Sequence, residues 1–235
     1  MRNKYVFILT ITIVCSFLLS LASEGLKELK YKNIEIDKKK NILRAVGLDI
    51  SQFNSHDIDN YFNKNIDTLI INTEGIINNS LSILELKEVE NNQSGELKYY
   101  NSEIEYLPIY KDDDKNAIIL PISGKGLWST LFGYFAIDSN NFSTVKGITF
   151  YKHKETPGLG GEVSKKWFQN NFVGKEIYNK NIFSSIKVTK PGLADKNNLY
   201  EVDGISGATI TSNAVTTFLK RDLKRYEKYF MNNKK

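Results

Sequence analysis

The spacing of apolar positions changes along this chain, and each change predicts a different element. Residues 5–22, YVFILTITIVCSFLLSLA, are eighteen positions without a charge. As a helix they would reach about 27 Å, close to the roughly 30 Å hydrocarbon core of a bilayer. Thr10, Thr12, Ser16 and Ser20 can return their hydroxyls to the helix backbone, so they do not oppose insertion. From residue 25 the pattern breaks up. The charged stretch 25–44 predicts a juxtamembrane linker ending in a short helix, with Ile42, Leu43 and Val46 at helical spacing and Gly47 as its C-cap. SQFNSHDIDNYFNKNI predicts a second short helix.

Between residues 66 and 110 apolar and polar positions alternate, as in TLIINTEG and SILELKEVE, which predicts strands joined by polar turns. AIILPI is a further strand, SGKG a glycine-rich turn, and GLWSTLFGYFAID and TVKGITFYKH two more strands. Pro157, Gly158, Gly160 and Gly161 make ETPGLGGEV a loop. VSKKWFQNNFVGK predicts a helix with Val163, Trp167, Phe168 and Phe172 on one side. A last helix carries Val215, Phe218, Leu219, Leu223, Tyr226 and Phe230 at the 3.6-residue period, with Lys and Arg on its other face. The expected fold class is α+β: an N-terminal transmembrane anchor over 1–24, the linker and short helix over 25–44, and one exported domain over 45–235.

Charge sets the orientation. Arg2 and Lys4 precede the apolar run, and the positive-inside rule keeps them cytoplasmic and exports the rest. Ser20-Leu21-Ala22 would also serve as a signal-peptidase site. The length of the run favours a retained anchor. The net charge of +5 is spread among interspersed Lys, Asp and Glu, with no basic stripe, so nucleic acid is not an expected partner. Cys15 is the only cysteine, and the two histidines, His56 and His153, are far apart. That excludes an intrachain disulfide and a thiolate metal cluster, and no metal site is expected. Redox chemistry here would need an organic cofactor.

Two segments stand out. DGISGATITSNAV, residues 203–215, concentrates glycine and hydroxyls where the last helix begins. Ser212 is a good N-cap residue. The same arrangement can hold a phosphate, because the free N–H groups and the dipole of a helix start both favour an anion. Physics alone leaves cap and phosphate site open. HKETPGLGG, residues 153–161, is a tight connection or a loop presenting its backbone to a flat ligand. It is neither a P-loop nor a dinucleotide fingerprint. His153 and Glu155 share a strand face, which alone makes no catalytic pair, and no catalytic residue is expected.

SGKGLWSTLFGYFAID, HKETPGLGGEV and DGISGATITSNAV, in this order behind a membrane segment, together resemble the C subunit of the Na⁺-translocating NADH:quinone oxidoreductase. KKKNILRAVGL is also similar to that family. The resemblance runs over roughly residues 4–225 and is strongest over 118–220, which resembles an FMN-binding domain. It implies FMN joined through its phosphate to a threonine in a motif D-x-x-[ST]-G-[AS]-T, here Asp203 to Thr209 with Ser206, Gly207 and Ala208 inside it. Thr209 would carry the flavin as a phosphoester, with Thr211 as the rival acceptor. A flavin transferase using FAD and Mg²⁺ would install it, reading Asp203 and Ser206. The ring would lie against Glu155, Thr156, Leu159 and Gly160, with Lys125 and Trp128 nearby; a core position is the alternative for Trp128. The resemblance further implies other subunits of a multisubunit membrane complex and membrane lipid as partners. It places the domain on the periplasmic side of the inner membrane, relaying electrons from NADH towards quinone. The competing readings are the G subunit of an Rnf-type electron transport complex, disfavoured by GLWSTLFGYFAID, and a non-redox exported binding domain.

Overall fold

The computed structural model describes residues 2–234. It divides into two compact units, with the boundary between Lys39 and Lys40. The first unit begins with helix α1 (Arg2–Gly25). Its stretch Asn3–Gly25 is long and apolar enough to cross a membrane. Thr10 and Thr12 donate to the carbonyls of Val6 and Ile8 at 2.9 Å, the backbone return that lets a hydroxyl sit in such a helix.

Helix α2 (Lys27–Ala45) then occupies nearly all of the segment expected to be a linker. Residues 26–46 contain neither Gly nor Pro and are rich in Lys, Glu and Leu, all strong helix formers. Glu35 and Lys39 add an i,i+4 ion pair at 2.8 Å. Charge density mimics a linker in composition, but propensity decides the backbone.

The second unit contains the last turn of α2, helix α3 (Ser55–Asn65), and strands β1 (Ile66–Asn72), β2 (Lys87–Glu90), β3 (Leu97–Asn101), β4 (Ile104–Asp112), β5 (Ala117–Lys125), β6 (Thr130–Asp138) and β7 (Val145–Lys152). Asn54 caps α3 in a capping box with Asp57. The seven strands form one antiparallel sheet in the order β2-β3-β4-β5-β6-β7, with β1 also paired to β4. Strand β6 is buried from Thr130 to Ile137. Its alternate residues Leu131, Phe135 and Ile137 join one core, and Tyr134 and Ala136 the other. A strand covered on both faces reads as a continuous apolar run, as β5 and β6 do. Ile42, Ala45 and Val46 cover one face. The other face receives the helix that starts at Thr209.

After β7 come a 3-10 turn (Gly160–Ser164), the four-residue α4 (Lys166–Gln169) and a second 3-10 turn (Asn170–Phe172). This replaces the continuous helix expected there. Lys165 is extended, which breaks the helical path. The interruption lets Val163, Phe168 and Phe172 all reach the core while Trp167 turns out and donates to Glu162 at 2.9 Å. Two-residue strands β8 (Tyr178–Asn179), β9 (Ile182–Phe183), β10 (Lys187–Val188) and β11 (Glu201–Val202) follow, with β10 parallel to β11.

Helix α5 (Thr209–Arg225) lays Val215, Phe218, Leu219 and Leu223 on the sheet. A break at Tyr226 separates it from α6 (Glu227–Asn233), so the expected single last helix is two. Strand β5 runs through the expected SGKG turn. Gly124 is needed there for close approach: a Cβ at that position would collide with the Phe218 ring.

Candidate functional site

One hairpin end, one strand-to-helix loop and one helix start converge at the same edge of the sheet. The β5–β6 connection, residues 126–129, projects Leu127 and Trp128. The loop after β7 brings Glu155, Thr156, Leu159 and Gly160, and the start of α5 brings Gly207 to Thr211. Together they line a cleft of about 400 Å³, within the range of small-molecule sites. A larger hollow of about 560 Å³ lies near Asp67, Lys111 and Tyr229, and none of the motif residues lines it.

The entry to α5 is a tight turn. Gly207 has φ +70°, the left-handed region that glycine tolerates. The helix begins at Thr209, with Ala208 at the N-cap and no side-chain cap. The expected cap, Ser212, lies one turn inside. Its Oγ instead accepts from the Ile205 N–H at 3.2 Å and ties the turn down from within. The first-turn N–H groups of a helix have no intrahelical acceptor, and here no side chain caps them. An anion at this point would be favoured by those donors and by the dipole.

The two candidate threonines differ sharply. Thr209 is exposed at the first position of the helix and lines the cleft. Thr211 is 1% exposed, and its hydroxyl donates to Glu155 Oε2 at 2.7 Å. Glu155 lines the cleft, but its carboxylate faces Thr211 and the 127–129 backbone. Burial pushes the Glu155 carboxyl up. Hydrogen bonds from the Trp128 N–H, the Thr211 hydroxyl and the Ser129 and Leu127 N–H groups outweigh it and hold the group below the ordinary 4.5. A depressed carboxyl stabilises the fold above its unfolded value and loses that contribution as pH falls through the folded value. Leu127–Ser129 is therefore expected to stay ordered at pH 4.5 and to loosen only at lower pH, as amide-resolved hydrogen exchange against pH would read.

Gly160 packs against the same pair: a Cβ there would come within 2.7 Å of both Glu155 Oε2 and Thr211 Oγ1. Gly160→Ala is expected to lower stability by about 1–3 kcal/mol, as overpacking does, measured by thermal melting.

The sequence-predicted residues divide. Thr156, Leu159, Gly160, Gly207, Ala208, Thr209 and Trp128 do line one cleft. Trp128 is 67% exposed, which rules out the core position. Lys125 ends β5 outside the lining; its backbone N–H donates to Ser94 O at 2.9 Å. Ser206 is exposed on the turn, whereas Asp203 is half-buried and accepts from the Ala194 N–H at 3.0 Å. Sequence reasoning missed Leu127 and Ile210, exposed by 48% and 58%. With Trp128 and Leu159 they rim the cleft with apolar surface. The only signal was that each is an apolar residue beside a motif glycine or threonine.

The description "FMN-binding domain" belongs to the family model that matches residues 126–224, the span containing all three walls. The C subunit of the Na(+)-translocating NADH-quinone reductase of Vibrio alginolyticus is 31% identical over 222 residues, covering 88% of this chain and 84% of that protein. The chain belongs to this C-subunit family. The Yersinia pestis relative of the same name is likewise 31% identical, over 88% of this chain and 83% of its own length. The crystal structure of the corresponding protein from Parabacteroides distasonis superposes with a TM-score of 0.71 at 30% identity, covering 87% of this chain and 96% of that one. Shewanella oneidensis NqrC shares the fold, with a TM-score of 0.66 at 23% identity over 83% of this chain and 94% of that one. Membership places the chain in an ion-translocating oxidoreductase complex, in the quinone reductase family rather than the Rnf-type one. An N-terminal apolar helix followed by a mixed helix and sheet domain is the expected α+β architecture.

Proposed function

We propose that this chain carries FMN as a phosphoester on Thr209 and relays electrons from NADH towards quinone within the Na⁺-translocating complex. The observation that carries the reading is the contrast between two threonines: Thr209 exposed over the cleft, Thr211 buried and bonded to Glu155. The residues present fit the group. The uncapped start of α5 suits a phosphate that keeps one negative charge. The apolar rim of Leu127, Trp128, Leu159 and Ile210 suits a flat tricyclic ring. FMN, when bound, supplies the electron transfer. The protein supplies attachment, orientation and a partly apolar wall, and needs no acid–base pair.

Attachment forms an ester between Thr209 Oγ1 and the flavin phosphate and breaks the pyrophosphate of FAD, with AMP as leaving group. A flavin transferase with Mg²⁺ would perform it. Ser206 is exposed where such an enzyme would read it; Asp203, three residues earlier, ties the chain entering that turn to Ala194. The other members of the complex are the redox partners. Helix α1 anchors the chain in lipid with one pass, and the domain stands on the periplasmic side, so an alkaline phosphatase fused after the last residue is expected to be active.

In the assembled complex, Thr209→Ala is expected to abolish NADH-driven quinone reduction and to spare NADH oxidation by an artificial acceptor at the NADH-oxidising subunit. Quinone reduction at the wild-type rate in that variant would remove the relay.

A further inference from the structure

Glu155 is a buried anion with every oxygen engaged inside the protein. The residue is 5% exposed. Oε1 accepts from the Trp128 N–H at 2.9 Å and the Ser129 N–H at 3.1 Å. Oε2 accepts from the Leu127 N–H at 3.2 Å and the Thr211 hydroxyl at 2.7 Å. Three successive N–H groups converging on one anion form a nest, the arrangement that elsewhere takes up phosphate. Here a side chain of the protein fills it.

The fit is close on both sides. A Cβ on Gly126 would come within 2.7 Å of Oε1, as one on Gly160 would of Oε2. The connection is doubled nearby, because the Lys154 N–H donates to Ser129 Oγ at 2.6 Å. One carboxylate thus joins the Leu127–Trp128 loop, the 155–160 loop and the first turn of α5, which are the three walls of the cleft.

We propose that Glu155 is the positioning residue of this site: by filling the 127–129 nest and holding Thr211, it fixes the Trp128 loop against the start of α5. This rests on the flavin-carrying reading of the cleft. Two consequences follow from the geometry. Of the two anion-binding spots at this edge of the sheet, only the α5 N-terminus stays open to a phosphate. The ring's apolar wall, Trp128 above all, stands at a set distance from Thr209 because its backbone hangs on the same carboxylate that grips the helix.

Glu155→Gln keeps the shape and removes one acceptor. Its amide nitrogen would face an N–H or the Thr211 hydroxyl, and hydrogen bonds to a charged group become neutral or are lost. The test uses the full chain in detergent, first without flavin. Amide hydrogen exchange at Leu127–Ser129 is expected to accelerate about tenfold or more in Glu155→Gln, the loss of one charged hydrogen bond, while amides of the β1–β4 pair keep wild-type rates. Thr211→Val, which frees one oxygen only, is expected to accelerate the same amides less. It provides the reading if the first variant does not fold.

After flavin transfer, the midpoint potential of the attached flavin and its visible circular dichroism are expected to move in Glu155→Gln, because the ring's wall and a nearby negative charge change together. Unchanged exchange at 127–129, or acceleration shared equally by β1–β4, would overturn the proposal. So would a flavin with wild-type potential and dichroism. A wild-type chain that takes up no flavin would remove the Thr209 reading, and the exchange of 127–129 would still decide whether Glu155 positions the loop.

Discussion

Thr209→Ala is expected to leave the chain with no covalent flavin and an unchanged fold, whereas Thr211→Ala is expected to keep the flavin and lose stability. The two substitutions remove the same atoms two residues apart, so the inversion comes from their surroundings. Thr209 is exposed at the first position of α5, and among the described residues its hydroxyl holds no other element. Surface truncations of this kind stay within about 0.5 kcal/mol. Thr211 is 1% exposed and donates to the Glu155 carboxylate at 2.7 Å. Its loss is expected to cost about 1.5–3 kcal/mol, the range for hydrogen bonds to charged groups. Fluorescence in a denaturing gel after co-expression with a flavin transferase reads the first property, and thermal melting reads the second. Fluorescence retained in Thr209→Ala and absent from Thr211→Ala would reverse the assignment.

The second large effect concerns how α5 is held on the sheet. Asp222 is 2% exposed between α5 and β5. Its Oδ2 accepts from the Ser123 N–H at 2.8 Å, and its Oδ1 accepts from Arg221 Nε at 2.8 Å. Arg221 in turn donates to the carbonyl of Ser123. Burial pushes the Asp222 carboxyl up, against the pull of Arg221 and the Ser123 N–H. Removing the carboxylate leaves a buried N–H unpaired and Arg221 without its nearest carboxylate. Breaking a buried pair from one side typically costs 3–5 kcal/mol. Arg221 keeps 27% side-chain exposure, so water recovers part of the loss and about 3 kcal/mol is expected for Asp222→Ala. For a domain of this size that corresponds to a fall in Tm of about 6–12 °C. A Tm equal to wild type would mean that apolar packing alone seats α5.

Much of this fold is legible because its central strands are buried on both sides. AIILPI and TLFGYFAID could hardly be anything but core strands, and the apolar period of residues 215–223 gives the face of α5 that meets them. The linker expectation fails for the opposite cause: residues 26–46 look like a solvated connection by charge, yet they hold no Gly or Pro and enough Lys, Glu and Leu to run as a helix. Residues 160–172 mislead in a third way. Their apolar positions fit a helical period, but the chain breaks at Lys165 to send Val163, Phe168 and Phe172 inwards.

At the site, the loop and motif residues were legible as unusual local chemistry, and most of them line one cleft. Which hydroxyl caps the helix was not. Ser212 and Thr209 both sit near the start of a periodic run, and only the backbone of Gly207 and Ala208 fixes where the first turn begins. The Glu155–Thr211 bond spans 56 residues. No local pattern encodes it, because it exists only once the β7 loop and α5 have met across the sheet. Trp128 was ambiguous for a related reason: it stands on the β5–β6 connection, and its exposure follows from where that hairpin ends.

The most direct test of covalent flavin carriage at Thr209 is peptide mass spectrometry of the chain purified from cells that make a flavin transferase. Trypsin releases residues 197–220, between Lys196 and Lys220, as one peptide containing Thr209, Thr211, Thr216 and Thr217. This peptide is expected to be heavier by FMN less one water, with backbone fragmentation placing the addition on Thr209. An addition on another residue, or an unmodified peptide where the transferase labels a control substrate, would contradict that carriage.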